Sequence, residues 1–475
     1  MHSSVPRRQF TKVICTLGPS TRAESQLRAL IANGMSIARL NLSHGKTEEH
    51  TETIRALQKI NARLATPIGI LLDTKGCEIR TGDTLEPIAI REGQEVLFSP
   101  HEAPGSLRPV IHVNYDGFAT DVQETDRILI DNGALEFSIV AVEGKTVVAK
   151  AKQAGSIGSR RHINLPGADI DLPSITPKDW EDLTMGITEG ADFVALSFVR
   201  EAKDVDDVRT FIKEKNSSMR IIAKIETQQA VHALSSIIAA SDGIMVARGD
   251  LGAEIPFERI PAIQDRIVQE CRAAGKPVIV ATHMLESMIQ QPMPTRAEVT
   301  DVAHAATSRA DATMLSGETA TGKFPMLALD TMNRILSETE NHLPPPPARE
   351  VHCTLDEREA RAEAAVTMSL ALHAKAILVF TRTGMSAQLV SKFRPIVPIL
   401  ACTEEKTVQR WLQVCYGVAP FHIDFSENPE TTILSAFHLL QREQQLRRGD
   451  RVILVSDALA HEGTHVGSVQ VRSIA

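Results

Sequence analysis

The chain is poor in three features that would each have narrowed its class. Cysteine is sparse: six residues in 475, Cys15, Cys77, Cys271, Cys353, Cys402 and Cys415, with no C-x-x-C pair. Such scatter argues against a disulfide framework or a cysteine-based zinc site and suits free thiols in a reducing compartment. No stretch approaches the roughly 18 apolar residues of a membrane-spanning helix, and none follows Met1 that would serve as a secretory signal. The expectation is a cytoplasmic protein with no membrane partner. Positive charge is not in excess either: 51 Lys and Arg against 59 Asp and Glu leave a net charge of -8. That argues against nucleic acid as a partner. An anionic substrate would need lysine, arginine or metal gathered locally.

The composition is otherwise that of an ordinary globular protein, 43% hydrophobic and 23% charged, and 475 residues suggest several domains. From residue 12 a short apolar run is followed by a polar turn and then a segment of helical period, repeatedly. The strand-like runs are Lys12–Gly18, Ile37–Leu42, Ile68–Thr74, Asp192–Phe198, Arg220–Glu226, Asp242–Ala247, Pro277–Thr282 and Ala312–Ser316. Each is nearly continuous in apolar residues, as strands covered on both faces of a parallel sheet are. Between them lie segments such as Arg22–Asn33, Thr47–Leu64 and Ile260–Ala274, with apolar residues three and four apart. The pattern predicts an α/β chain built on a (β/α)8 TIM barrel.

From about Gly76 to Ile170 the helical period vanishes, and short alternating runs take over: Ile128–Ile130, Leu135–Val142 and Thr146–Ala151. They predict an all-β lid domain inserted after the third strand. The prolines of Leu343–Pro347 mark a stiff linker. Beyond it come a helix near Asp356–His373, strand Ala376–Thr381, helix Ser386–Phe393, strand Val397–Cys402, helix Glu430–Leu446 and strands Arg451–Ser456 and Ser468–Ile474. These predict a C-terminal α/β domain. The expected division is 1–75 and 171–342 for the two parts of the barrel, 76–170 for the lid and 348–475 for the last domain.

A barrel carries its chemistry at the C-terminal ends of its strands. There this sequence sets Arg39, Asn41, Ser43 and His44; Asp73, Thr74, Glu78 and Arg80; Lys224 and Glu226; Gly249, Asp250 and Gly252; Thr282; and Ser316. Arg39, Arg80 and Lys224 suit phosphate charge, and Glu226 and Asp250 suit Mg2+. Gly249 and Gly252 permit close backbone approach at a helix start. Ser, Thr and Asn suit a monovalent cation or a proton relay. A single carboxylate at a strand end more often makes an ion pair or caps a helix. The residue types alone therefore predict a Mg2+-dependent barrel enzyme acting on a small phosphorylated or carboxylated substrate, with phosphoryl transfer a natural fit.

The strings at those strand ends resemble pyruvate kinase. They include Lys12-Val-Ile-Cys-Thr-Leu-Gly-Pro19, Ala38-Arg-Leu-Asn-Leu-Ser-His-Gly45, Leu72-Asp-Thr-Lys-Gly76, Ala223-Lys-Ile-Glu226, Gly243-Ile-Met-Val-Ala-Arg-Gly-Asp-Leu-Gly252 and Met314-Leu-Ser-Gly-Glu-Thr-Ala320. The resemblance runs in order over nearly the whole chain. It implies transfer of the phosphoryl group of phosphoenolpyruvate to ADP. It implies Mg2+ on Glu226 and Asp250, and K+ among Asn41, Ser43, Asp73 and Thr74. Lys224 and Arg39 would contact the phosphoryl group. Gly249, Asp250 and Thr282 would seat the carboxylate, and Thr282 and Ser316 would deliver a proton. Asn41, His44, Arg80 and Arg161 would face the nucleotide.

The resemblance also implies a homotetramer, from Pro294-Thr-Arg-Ala-Glu298, and a phosphorylated effector held by Thr381, Thr383 and Ser386, where a simple helix cap is the plainer alternative. Several positions depart from the family pattern: Cys77, Asn132, Arg161 and His283. Two other readings stand beside this one, a Mg2+-dependent barrel lyase for pyruvate-like acids and a non-catalytic paralogue that senses metabolites. The first would not need the lid. The second should have lost Lys224 or a metal carboxylate.

Overall fold

The computed structural model describes residues 9–474 apart from 102–105, 123–126, 132, 169, 171, 346–355 and 462–463, and the side chains of 457–461 and 464–466. Asn132, Cys353, Pro346 and Pro347 of the proline linker, and residues 462–463 within the stretch His461–Ser468, thus lie outside the described residues.

Eight parallel strands close into a barrel: Lys12–Leu17, Met35–Asn41, Gly69–Asp73, Phe193–Leu196, Arg220–Ile225, Gly243–Ala247, Val278–Ala281 and Ala312–Leu315. They neighbour one another in chain order, and the first pairs with both the second and the eighth. Alternate residues divide between two layers. Val13, Cys15, Ile70, Leu72, Val194, Ile221 and Ala223 pack outward beneath the helices. Ile14, Ile37, Leu71, Phe193, Ile222, Met245 and Ile279 fall in a second cluster, which continues into the C-terminal domain. Burial of both faces is why each run reads as nearly continuous apolar sequence. All the strands but the sixth, which ends at Ala247 as expected, end one or two residues short of the expected runs, so Thr74, Glu226, Thr282 and Ser316 stand just beyond them.

The lid is a seven-stranded sheet with a separate two-stranded one, packed on Phe98, Phe118 and Phe137. Its strands include Arg127–Ile130, Leu135–Glu143 and Thr146–Ala151, close to the alternating runs. Others, such as Ile79–Arg80, Ile88–Ile90 and His162–Asn164, are two or three residues long and too short to show a period. Asp179 fixes the first hinge. Its side chain closes a capping box with Thr176 and accepts the N–H groups of Lys75 and Gly76 at 3.1 and 3.2 Å.

The C-terminal domain is a five-stranded sheet in the order Val418–His422, Ile399–Thr403, Ala376–Phe380, Arg451–His461, Thr464–Ser473. Sequence reading passed over Val418–His422 and the helix Lys406–Trp411. Pro420 interrupts that strand, and the strand survives because it lies at the sheet edge. The domain docks against the barrel through apolar contacts and two ion pairs, the buried Arg394–Asp311 and the partly buried Arg410–Asp192, each at 2.6 Å. Among the described residues no helix is long and apolar enough to cross a membrane.

Candidate active site

Four charged side chains of alternating sign meet inside the C-terminal mouth of the barrel. Arg39, two residues before the end of the second strand, donates from Nε to Asp73 Oδ2 at 2.6 Å and from Nη1 to Thr16 Oγ1 at 2.8 Å. Lys224 Nζ lies 3.0 Å from Asp73 Oδ1 and 2.8 Å from Glu226 Oε1, and donates to Ser197 Oγ at 2.7 Å. All four are withdrawn from solvent: Arg39 and Lys224 are 8% exposed, Asp73 1% and Glu226 0%.

Burial disfavours every charge in this row, and the neighbours decide the outcome. For Asp73, burial alone would raise the pKa, but Arg39 and Lys224 outweigh it and hold the carboxyl below the usual range. For Lys224, burial alone would lower it, but Asp73, Glu226 and Asp250 together hold the ammonium above its ordinary value. Glu226 goes the other way. Burial, reinforced by Asp250 and only partly opposed by Lys224, pushes its carboxyl up to about 7. Its Oε2 accepts the N–H of Phe198 at 2.7 Å, and Oε1 is met by the Lys224 ammonium alone, at 2.8 Å. One oxygen of this buried carboxylate therefore has a single partner, which Asp73 and Ser197 share, in a site with a second carboxylate nearby.

Asp250 sits in the first turn of the helix Arg248–Glu254, with its side chain 32% exposed. Thr282 Oγ1 donates to the carbonyl of Ala281 and accepts the N–H of Gly249, both at 2.7 Å. Thr282 has φ 65° and His283 φ 55°, a conformation that is costly for a β-branched residue. Arg248 holds this turn by donating to the carbonyl of Thr282 at 2.6 Å and to Asp301 at 2.5 Å. Ser316 follows the last strand, and its N–H bonds the buried Glu318 at 2.7 Å. Among the described residues no three His, Cys, Asp or Glu side chains gather as a metal cage. A cation here would take two carboxylates and complete its shell from bound oxygens.

The oxygen donors of the second and third strands lie side by side. Asn41 and Asp73 are register partners, Asn41 Oδ1 accepts the N–H of Ser43 at 3.2 Å, and Thr74 Oγ1 donates to the carbonyl of Ala195 at 3.2 Å. His44 is exposed. Arg80 pairs with Glu78 at 2.6 Å and donates to the carbonyl of Arg160 at 2.7 Å. Arg161 makes a looser contact with Asp131 at 3.4 Å. The lid reaches the mouth through His162, whose Nδ1 is 3.8 Å from Asp250 Oδ1, and through Asn164, which donates to Glu254 at 3.4 Å. Burial pushes Glu254 up to about 7, with Asn164 opposing and Asp250 adding.

The structure brings Arg39, Asp73, Lys224 and Glu226 into direct contact and sets Gly249 and Thr282 beside one another. Thr381, Thr383 and Ser386 lie apart, in the C-terminal domain. Thr381 Oγ1 accepts the N–H of Gly384 at 3.0 Å, so it serves as a turn cap, while Thr383 is exposed. Ser197, Thr16, Arg248 and His162 were missed. Ser197 and Thr16 carry no charge to mark them, and His162 lies in a short lid strand. Only the Arg248-Gly-Asp string hinted at its member.

Similarity to known proteins agrees with this geometry. The family model for the pyruvate kinase barrel domain matches residues 8–329, and that for the pyruvate kinase alpha/beta domain matches residues 359–468. The chain is 41% identical to plastidial pyruvate kinase 3 of Arabidopsis thaliana, over 99% of this chain and 83% of that one. It is 39% identical to a pyruvate kinase of Bacillus licheniformis, over 96% and 79%. The crystal structure of a pyruvate kinase from Cryptosporidium parvum superposes with a TM-score of 0.90 at 37% identity, covering 98% and 96%. The cytoplasmic expectation is corrected by these findings. The Arabidopsis relative and others of similar identity are plastidial or chloroplastic, and bulk composition does not tell such proteins from cytoplasmic ones.

Proposed function

The chain belongs to the pyruvate kinase family and moves the phosphoryl group of phosphoenolpyruvate to ADP, and we propose how its residues divide that work. The reading rests on one observation above all, the buried row Arg39–Asp73–Lys224–Glu226, in which Glu226 Oε1 is met by Lys224 alone. Glu226 and Asp250 hold Mg2+. A lone pair of carboxylates suits an ion that keeps part of its shell for substrate oxygens. When bound, the ion supplies positive charge that draws density from the phosphate and enolate oxygens. Lys224, fully charged and held by Asp73 and Ser197, faces the phosphoryl group in transfer. Arg39 supports it from the other side of Asp73. Positioned charge of this kind acts on the transition state without reorganisation.

Gly249, Asp250 and Thr282 seat the substrate carboxylate, and Thr282 or Ser316 hands a proton to the enolate carbon. Arg80, Arg161, Asn41 and His44 meet the nucleotide when the lid, 76–170, closes on the barrel of 1–75 and 171–342. Asn41, Ser43, Asp73 and Thr74 offer oxygens alone and suit K+ better than a second Mg2+. The domain of 348–475 takes a phosphorylated effector at Thr381, Thr383 and Ser386. Assembly as a homotetramer is supported by the family-like segment Pro294-Thr-Arg-Ala-Glu298, whose Thr295 and Arg296 are exposed.

A coupled assay for pyruvate from phosphoenolpyruvate and ADP tests the reaction, and its repetition with K+ replaced by a large organic cation at equal ionic strength tests the K+ set. Equal rates in the two salts would remove K+ from the site.

A further inference from the structure

The barrel and the C-terminal domain leave a cleft of about 380 Å3 between them, on the side of the barrel away from the catalytic mouth. Its walls are the segment that precedes the fifth barrel strand and the helix Lys406–Trp411. The volume falls within the ~300–1,000 Å3 of small-molecule sites and is twice the 190 Å3 of the cavity beside the lid.

The charges around it do not balance. Arg410 is committed to Asp192 at 2.6 Å, and Arg220 shares Asp242 with Arg209 at 3.3 and 3.2 Å. Lys215, which also lines the cleft, has no carboxylate partner among the described residues. Four cations meet two carboxylates, a local positive surplus in a chain whose net charge is -8. Ser217 and Ser218 add hydroxyls to the same wall. Trp411 closes the cleft. It is 5% exposed, the Arg220 guanidinium lies 5.1 Å from its ring, and its indole N–H has no hydrogen-bond partner among the described residues.

We propose that this cleft binds a small phosphate-bearing metabolite, its phosphate held by Lys215 and Arg220 with the hydroxyls of Ser217 and Ser218. A guanidinium fork, an ammonium and two hydroxyls match a group with several terminal acceptor oxygens better than they match a carboxylate. The site is separate from the Thr381–Ser386 loop. It is also placed to act on catalysis. Arg220 opens the strand that carries Lys224, and Asp192, held by Arg410, accepts the N–H of Ile70 at 2.9 Å in the strand that ends at Asp73. A ligand that draws Arg220 towards itself therefore pulls at the base of a catalytic strand. This regulatory half rests on the catalytic assignment of Lys224; the binding half does not.

The chain has two tryptophans, so Trp180→Phe leaves Trp411 as the sole indole reporter. Inorganic phosphate and ribose 5-phosphate, titrated against chloride at equal ionic strength, should change its emission saturably while chloride does not. Lys215→Glu should weaken that binding at least about tenfold, and isothermal titration of the chain with both tryptophans retained should reproduce both results. No saturable signal, or one undiminished by Lys215→Glu, would overturn the site. The second outcome would place the phosphate elsewhere, at the Thr383 loop or the catalytic mouth. Over the same concentrations the phosphoenolpyruvate saturation curve should shift, and the shift should vanish in Lys215→Glu. A signal with an unmoved curve would overturn the regulatory half.

Discussion

The two ends of the barrel use the same residue types to opposite purposes. At the end that meets the C-terminal domain, Arg394 and Asp311 are 2% and 3% exposed in their side chains and fully engaged. Arg394 bonds Asp311 at 2.6 Å and the carbonyls of Arg309 and Ser391, while Asp311 also accepts the N–H groups of Val278 and Tyr416. At the mouth, Glu226 is fully buried and the Lys224 side chain is 11% exposed, yet Glu226 Oε1 is met by Lys224 alone and its pKa is pushed up to about 7. A buried ion pair whose lone pairs are all met holds domains together. One left incomplete holds a place for a ligand.

The sharpest way to break this contrast is to remove one cation from each end. Lys224→Met should lower kcat by roughly 10^3-fold, the scale of losing a preorganised charge at the transition state. Its folding should suffer less, because Glu226 is already poised to take a proton in place of its partner. Near-normal turnover would show that the mouth does not depend on this charge. Arg394→Leu should do the reverse. It strands Asp311 in the domain seam and should cost about 3–5 kcal/mol of stability in a denaturant titration, while kcat per folded molecule stays close to that of the parent chain. A large loss of kcat in the still-folded variant would mean that the two ends are not separable in function.

The pH dependence sharpens the contrast further. The folded pKa of Glu226 lies above its unfolded value, so between about 4.5 and 7 the folded state binds more protons than the unfolded one. This group therefore disfavours folding increasingly as pH rises through that window. Mg2+ favours the ionised form and should cancel the penalty. Thermal melts should show Mg2+ raising Tm by a few °C more at pH 8 than at pH 5.5, and Glu226→Gln should abolish the difference. Equal Mg2+ shifts at both pH values would separate the ion from Glu226. The smallest effect is expected in the C-terminal domain. Thr383→Val, at an exposed position, should change stability by no more than about 0.5 kcal/mol yet remove activation by a sugar phosphate. Unaltered activation would leave the Thr381–Ser386 loop as a turn capped by Thr381 and nothing more.

Much of this was legible from residues alone where one pattern covers many positions. The eight barrel strands read clearly because burial on both faces leaves few polar residues to interrupt them, and the site residues read clearly because charged groups stand at or near the C-terminal ends of apolar runs. The two- and three-residue lid strands and Val418–His422 did not, since a period cannot show itself over so few residues and Pro420 argues against a strand when the edge position is not yet known. Ser197 and Thr16 escaped for a different reason. Nothing about a hydroxyl in a strand end says that a lysine or arginine from another strand will meet it.

The sequence by itself determined the barrel, the inserted lid, the separate C-terminal domain and the set of charged groups at the strand ends, because local periodicity and composition encode them directly. Only the tertiary structure decided which carboxylate each cation serves. Arg39 could have faced Glu226 and Lys224 could have faced Asp73 alone. The closure of the barrel brings strands two, three and five to one point, and there distance and burial, neither of which is written in chain order, leave Asp73 paired to two cations and Glu226 to Lys224 alone.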